Sequence, residues 1–135
     1  MAKIRARIAV IDDDASVRNA LCRLLRASDF DARAYETGAD FLASCPSFKP
    51  RCAIIDLHMP GMTGLEAQEH LRSSGSDVAV IIITGHDAPH SRAECLSAGA
   101  CAYLTKPVDE NVLMSSIRDI VEANKCAGRQ GLTSR

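Results

Sequence analysis

Four short polar clusters each follow a run of apolar residues. Asp12, Asp13 and Asp14 come after Ile8 to Ile11, and Asp56 after Cys52 to Ile55; Thr84 follows Val78 to Ile83, and Thr105 and Lys106 follow Ala102 to Leu104. Carboxylates at close quarters repel one another and raise each other's pKa unless a cation sits among them. A hard divalent ion suits such oxygen ligands, and Mg²⁺ takes one or two carboxylates, keeps waters and completes its shell with phosphate oxygens. An aspartate can also be a nucleophile that accepts a phosphoryl group. The metal, a hydroxyl and a lysine would then hold the three equatorial oxygens, whose charge must be stabilised during transfer. In that chemistry Asp56 is the acceptor, and Asp12, Asp13, Thr84 and Lys106 serve its phosphate.

Such chemistry requires a scaffold that delivers all four clusters to one place. Ile8 to Ile11 is continuously apolar, as a strand buried on both faces should be. Val17, Leu21, Leu24 and Leu25 then recur at helix spacing, with Asp14 available as N-cap. Ala32 to Tyr35 reads as a weaker edge strand, and Thr37 to Asp40 as a capping box opening a short helix through Phe41 and Leu42. Pro46 and Pro50 bracket a loop. Cys52 to Ile55 is a third strand, Thr63 to Glu66 a second capping box, and the helix it opens runs to about Arg72. Val78 to Ile83 is the central strand. A helix around Ser91 to Ala98 stops at Gly99, Ala102 to Leu104 is the last strand, and Asp109 caps a helix carrying Val112, Leu113, Ile117, Ile120 and Val121. Five strands alternating with five helices specify parallel βαβ units wound on both faces of one sheet. The strands' C-terminal ends then share one edge, where ligands bind near the topological switch point.

The chain has 135 residues, enough for one domain that buries about two-thirds of its extended-chain surface. A net charge of -1 argues against a whole-domain grip on nucleic acid or anionic lipid. No apolar run approaches the roughly 20 residues of a membrane span, and the basic start is not a secretory signal. The six cysteines, Cys22, Cys45, Cys52, Cys95, Cys101 and Cys126, form no C-x-x-C pair and several sit in apolar periodic segments. They read as small, buried, reduced thiols of a cytoplasmic protein.

With these residues in place, the chain resembles the receiver domains of two-component response regulators. The resemblance runs from about Ile8 to Val121 and rests on Asp12-Asp13, "DLHMPGMTGLE" around Asp56, "ITGH" around Thr84 and "YLTKP" around Lys106. "ETGADFLAS" and "TGH" look most like the nitrogen-fixation type, whose members usually carry a C-terminal DNA-binding helix-turn-helix domain. The resemblance implies a flavodoxin-like (βα)5 fold, doubly wound, with strand order 2-1-3-4-5. It implies Asp56 as phosphoacceptor, and Asp12, Asp13, Asp56 and the backbone carbonyl of His58 as the Mg²⁺ site, with Mn²⁺ able to replace Mg²⁺. Thr84 and Tyr103 are the implied switch pair, Lys106 is the phosphate-binding cation, and Lys106-Pro107 is a cis bond. The implied partners are a sensor histidine kinase or phosphotransfer protein and, after phosphorylation, a second copy docking through the fourth helix, fifth strand and fifth helix. No nucleic acid binding by this domain, no membrane and no enzymatic activity beyond its own phosphorylation and slow dephosphorylation are expected. The receiver domain is expected over 4–125, with 126–135 a tail or the start of a linker.

Several residues admit two readings. Asp14 is either a third metal ligand or the helix cap, and the cap is favoured. His86 and His90 have the spacing of a zinc pair, but Pro89 lies between them and a solvated loop is the better reading. His58 and His86 each lie two residues beyond a site residue, so they either flank the phosphate and tune its hydrolysis or are exposed loop residues. A haloacid-dehalogenase-type phosphatase would need a carboxylate where His58 stands. A flavodoxin-type module would not place three aspartates beside a flavin phosphate. A pseudo-receiver acting by contact alone would not need every expected residue type.

Overall fold

The computed structural model describes residues 5–130, with side chains described for 5–123. Five strands and five helices alternate: β1 (Arg7–Ile11), α1 (Ala15–Ala27), β2 (Asp31–Tyr35), α2 (Gly38–Phe48), β3 (Cys52–Asp56), α3 (Gly64–Ser73), β4 (Ala79–Thr84), α4 (Pro89–Ser97), β5 (Ala102–Thr105) and α5 (Glu110–Gln130). All pairings are parallel, and the strand order is β2-β1-β3-β4-β5. The flavodoxin-like doubly wound fold is therefore present as expected. Of the expected tail at 126–135, α5 continues over the first part, while residues 131–135 lie outside the described residues, as does the expected domain start at residue 4.

Strand alternation divides the core in two. Ile8 and Val10, Cys52 and Ile54, Ile81 and Ile83 face α1 and α5, packing on Leu21, Leu25, Leu113 and Ile117. Ala9 and Ile11, Ala53 and Ile55, Val80 and Ile82 face α2, α3 and α4, packing on Phe41, Phe48, Ala67, Leu71 and Cys95. Because both faces of the central strands are covered, their sequences are apolar throughout instead of alternating. β2, at an edge, buries only Ala32 and leaves Asp31, Arg33 and Ala34 exposed.

The caps follow the sequence. Asp14 accepts from the Ser16 N–H and is the N-cap of α1. Thr37 accepts from the Asp40 N–H, which makes one half of the expected box. Thr63 and Glu66 exchange both bonds and close a full capping box on α3. Asp109 accepts from the N–H groups of Asn111 and Val112 at the start of α5. Gly99 takes the left-handed conformation (φ +105°) just past α4.

Pro46 departs from expectation. It lies inside α2 and brackets no loop. It removes only its own N–H from the ladder, near the end of the helix, and buried Phe41 and Phe48 hold both ends of α2 against the core. The helix then stops where Lys49 turns left-handed (φ 53°) and its N–H bonds the Cys45 carbonyl. His90 likewise stands in the first turn of α4 and not in a loop. Among the described cysteines all are free; Cys22, Cys52 and Cys95 are buried, whereas Cys45 is half-buried and Cys101 is exposed, contrary to the uniform expectation.

Candidate functional site

The polar clusters meet at the C-terminal edge of the sheet because the parallel ladders continue one residue past the strands. The Asp12 N–H bonds the Tyr35 carbonyl, and the Lys106 N–H bonds the Thr84 carbonyl. Strand alternation therefore carries on, placing Asp12, Asp56 and Lys106 toward the α1/α5 side and Thr84 toward the side shared with Tyr103.

Asp12 is fully buried and Asp56 is 4% exposed. Carboxylate oxygens of Asp12, Asp13 and Asp56 lie within 4.8 Å of one another. Lys106 Nζ stands 2.9 Å from Asp12 Oδ2 and 3.6 Å from Asp56 Oδ1. The first is an ion pair, and Asp12 Oδ2 has no further partner. Asp12 Oδ1 accepts from the Asp14 N–H at 2.9 Å, and Arg18 donates to the Asp12 backbone carbonyl at 2.7 Å. Asp56 Oδ1 accepts a long bond, 3.4 Å, from the His58 N–H.

Burial and then Asp12 push the Asp56 carboxyl up to about 6, with Asp13 adding to the rise, while Lys106 and the His58 N–H pull it down. Burial pulls the Lys106 ammonium down, but Asp12 and Asp56 outweigh it and its pKa is raised. Ser16 holds Asp14 below the ordinary carboxylate range, which fits its role as a cap. One ammonium thus faces three carboxylates. The oxygen-only donor set, with Asp12 Oδ2 partnered by the Lys106 ammonium alone, suits a hard divalent cation.

On the other side of the edge, buried Thr84 folds back on its own loop: Oγ1 donates to the His86 carbonyl at 3.2 Å and accepts from the His86 N–H at 3.0 Å. Tyr103 is 3% exposed, with the Arg92 guanidinium 5.3 Å from its ring centre. Its hydroxyl lies near Asp87 and Ala88 without closing a hydrogen bond of good geometry. The ring is thus turned inward, packed into the core on the α2, α3 and α4 side. The Lys106-Pro107 bond is cis, as the resemblance implied. His86 pairs with His58, not with His90: the rings stand edge to face, 5.8 Å between centres.

Two contributors escape sequence reasoning. Arg18 steadies Asp12 through its carbonyl, and nothing in the local pattern marks it. Gly64 packs so tightly on the end of β3 that a Cβ there would sit 2.6 Å from the Asp56 carbonyl oxygen. Its place at the first helical position after Thr63 was the available signal.

Residues 8–118 match the response regulator receiver domain model. The chain belongs to this family. It is 33% identical over 123 residues to the transcriptional regulatory protein FixJ of Azorhizobium caulinodans, covering 91% of this chain and 58% of that one. Against the tetrathionate response regulatory protein TtrR of Salmonella typhimurium it is 32% identical, covering 90% and 59%. The chain thus spans little more than half the length of these relatives. Among solved structures, the crystal structure of FixJ-N superposes with a TM-score of 0.81 at 28% identity, covering 89% of this chain and 96% of that one. A CheY-like receiver domain from Methanospirillum hungatei gives a TM-score of 0.84 at 26% identity, covering 90% and 98%. The similarity to FixJ and FixJ-N supports the nearness to the nitrogen-fixation type. No helix among the described residues is long and apolar enough to cross a membrane.

Proposed function

We propose that Asp56 accepts a phosphoryl group from the phosphohistidine of a sensor kinase or phosphotransfer protein, and that the modified site alters the surface of α4, β5 and α5. The observation that carries this reading is Asp56 held at the sheet edge beside two further carboxylates and within reach of the Lys106 ammonium. Asp12, Asp13, Asp56 and the His58 carbonyl would hold Mg²⁺, or Mn²⁺ in its place. Bound there, the ion neutralises charge on the phosphate oxygens.

An Asp56 carboxylate oxygen attacks phosphorus, a P–O bond forms and the P–N bond breaks. The imidazole leaves with the electron pair. Lys106 holds one phosphate oxygen, and Thr84 exchanges its bond to His86 for a bond to another. Because Tyr103 is already inward, the switch is read as movement of Thr84 and the segment between β4 and α4, with Tyr103 fixing the endpoint. His58 and His86, edge to face, flank the acceptor and tune how fast water hydrolyses the acyl phosphate. The altered face would control an output domain or join a second copy, and this domain itself would contact no nucleic acid.

Intact mass after incubation with acetyl phosphate and Mg²⁺ tests the acceptor. The parent should gain one phosphoryl group and Asp56→Asn none. Equal gain by both, or no gain by the parent, overturns the assignment.

A further inference from the structure

The seam between α3 and α4 holds a buried amide that packing does not explain. Gln68, in the middle of α3, is 3% exposed. Its Nε2 donates to the Cys95 carbonyl at 3.1 Å, and its Oε1 is buried with no hydrogen-bond partner. An unpaired buried amide oxygen carries a net cost that a methionine of similar length would avoid. What the amide adds is a single bond, and its place is informative. The Cys95 carbonyl also accepts from the Ala100 N–H at 3.0 Å, the bond that closes the end of α4 around Gly99. Gln68 therefore grips α4 at its C-terminal end.

The other end of α4 is held differently. Its N-cap is Ala88, which supplies no side-chain bond, and Pro89 follows. Cys95 is the one residue of α4 that is buried. On the N-terminal side the ties are the two bonds between Thr84 and His86 and the Arg92 guanidinium over the Tyr103 ring. We infer that Gln68 is a positioning residue that makes the C-terminal end of α4 a fulcrum, so that a rearrangement at Thr84 swings the N-terminal turn and does not lift the whole helix. This deepens the proposed function and rests on it for the trigger, while the fulcrum itself is a property of the unmodified chain.

The experiment is residue-level amide exchange on the parent and Gln68→Met, each with and without acetyl phosphate and Mg²⁺, normalised to the slowest amides of α1. The methionine conserves volume and removes only the amide; Gln68→Leu carries the same expectations should it fail to fold. Without the donor, exchange at Ala98, Gly99 and Ala100 should rise about five-fold in the variant, the worth of one neutral hydrogen bond. In the phosphorylated parent, exchange should change between Gly85 and Arg92 and by less than about two-fold at Ala98 to Ala100. In the phosphorylated variant both stretches should change together. Unaltered exchange at Ala98 to Ala100 in the donor-free variant overturns the fulcrum whatever phosphorylation does. So does a phosphorylated parent that changes equally at both ends. A parent that takes up no phosphoryl group overturns the proposed function instead, and the donor-free comparison still decides the fulcrum.

Discussion

At Asp56, burial and a neighbouring like charge act in the same direction and together outweigh Lys106, leaving the carboxyl at about 6 against an ordinary 3.8. The folded chain binds this proton more tightly than the unfolded chain. The stability it contributes is therefore complete below about pH 4 and is lost as pH rises through about 6. Asp14 works in the opposite sense, since its lowered pKa contributes stability that disappears as pH falls. Asp56→Asn should flatten the decline between those two pH values and stabilise the fold at pH 8 by about 1–3 kcal/mol, one pKa unit being worth about 1.4 kcal/mol. Thermal melts across pH check this, and a variant no more stable than the parent at pH 8 would remove the like-charge account. These charged residues were legible in sequence because each ends an apolar strand. The inward ring of Tyr103 was not, because its rotamer depends on space beside Thr84 and on Arg92, both distant in the chain.

The elements place the site through their ends, and the tightest of these junctions is where α3 meets β3. A Cβ on Gly64 would also come within 2.9 Å of the Leu57 Cα, backbone that cannot swing aside. Gly64→Ala should destabilise the fold by about 1–3 kcal/mol, as overpacking does, and slow acetyl phosphate uptake at Asp56 by displacing its strand end. Chemical denaturation and the rate of mass gain measure the two effects. Normal uptake in Gly64→Ala would mean that α3 yields and β3 does not. Capping residues made the helix starts readable, since Asp14, Thr63 and Asp109 act within three residues of themselves. Pro46 misled because helix continuation past it depends on Phe48 reaching a core built from other strands. Local punctuation marks where a helix is free to stop, and tertiary packing decides whether it does.

For the whole molecule, three carboxylates against one ammonium predict a folded state that divalent ions stabilise. Melting temperature should rise with Mg²⁺, by an amount equivalent to about 1.4 kcal/mol at ten times the dissociation constant. The rise should shrink in Asp13→Asn, and an unchanged melting curve in the parent would count heavily against the cation site. The doubly wound topology was legible from the alternation of element types. Which pairs of residues would touch across the edge was not, because contacts such as Lys106 with Asp12 join opposite ends of the chain. The two-sided core has a further consequence. Strand alternation assigns Asp12, Asp56 and Lys106 to the side of α1 and α5, and Thr84 and Tyr103 to the side of α3 and α4. Under the proposed roles, the residues that acquire the phosphoryl group lie on the α1 and α5 side, the Thr84 and Tyr103 pair that passes the change to α4 lies on the other, and α5 shares in the altered face. Substitutions on the outward surfaces of α1 and α4 should then combine additively in their effects. A lineage could accordingly rewrite the outward surface of α1 while leaving that of α4 untouched, or the reverse, with the sheet as a partition between the two.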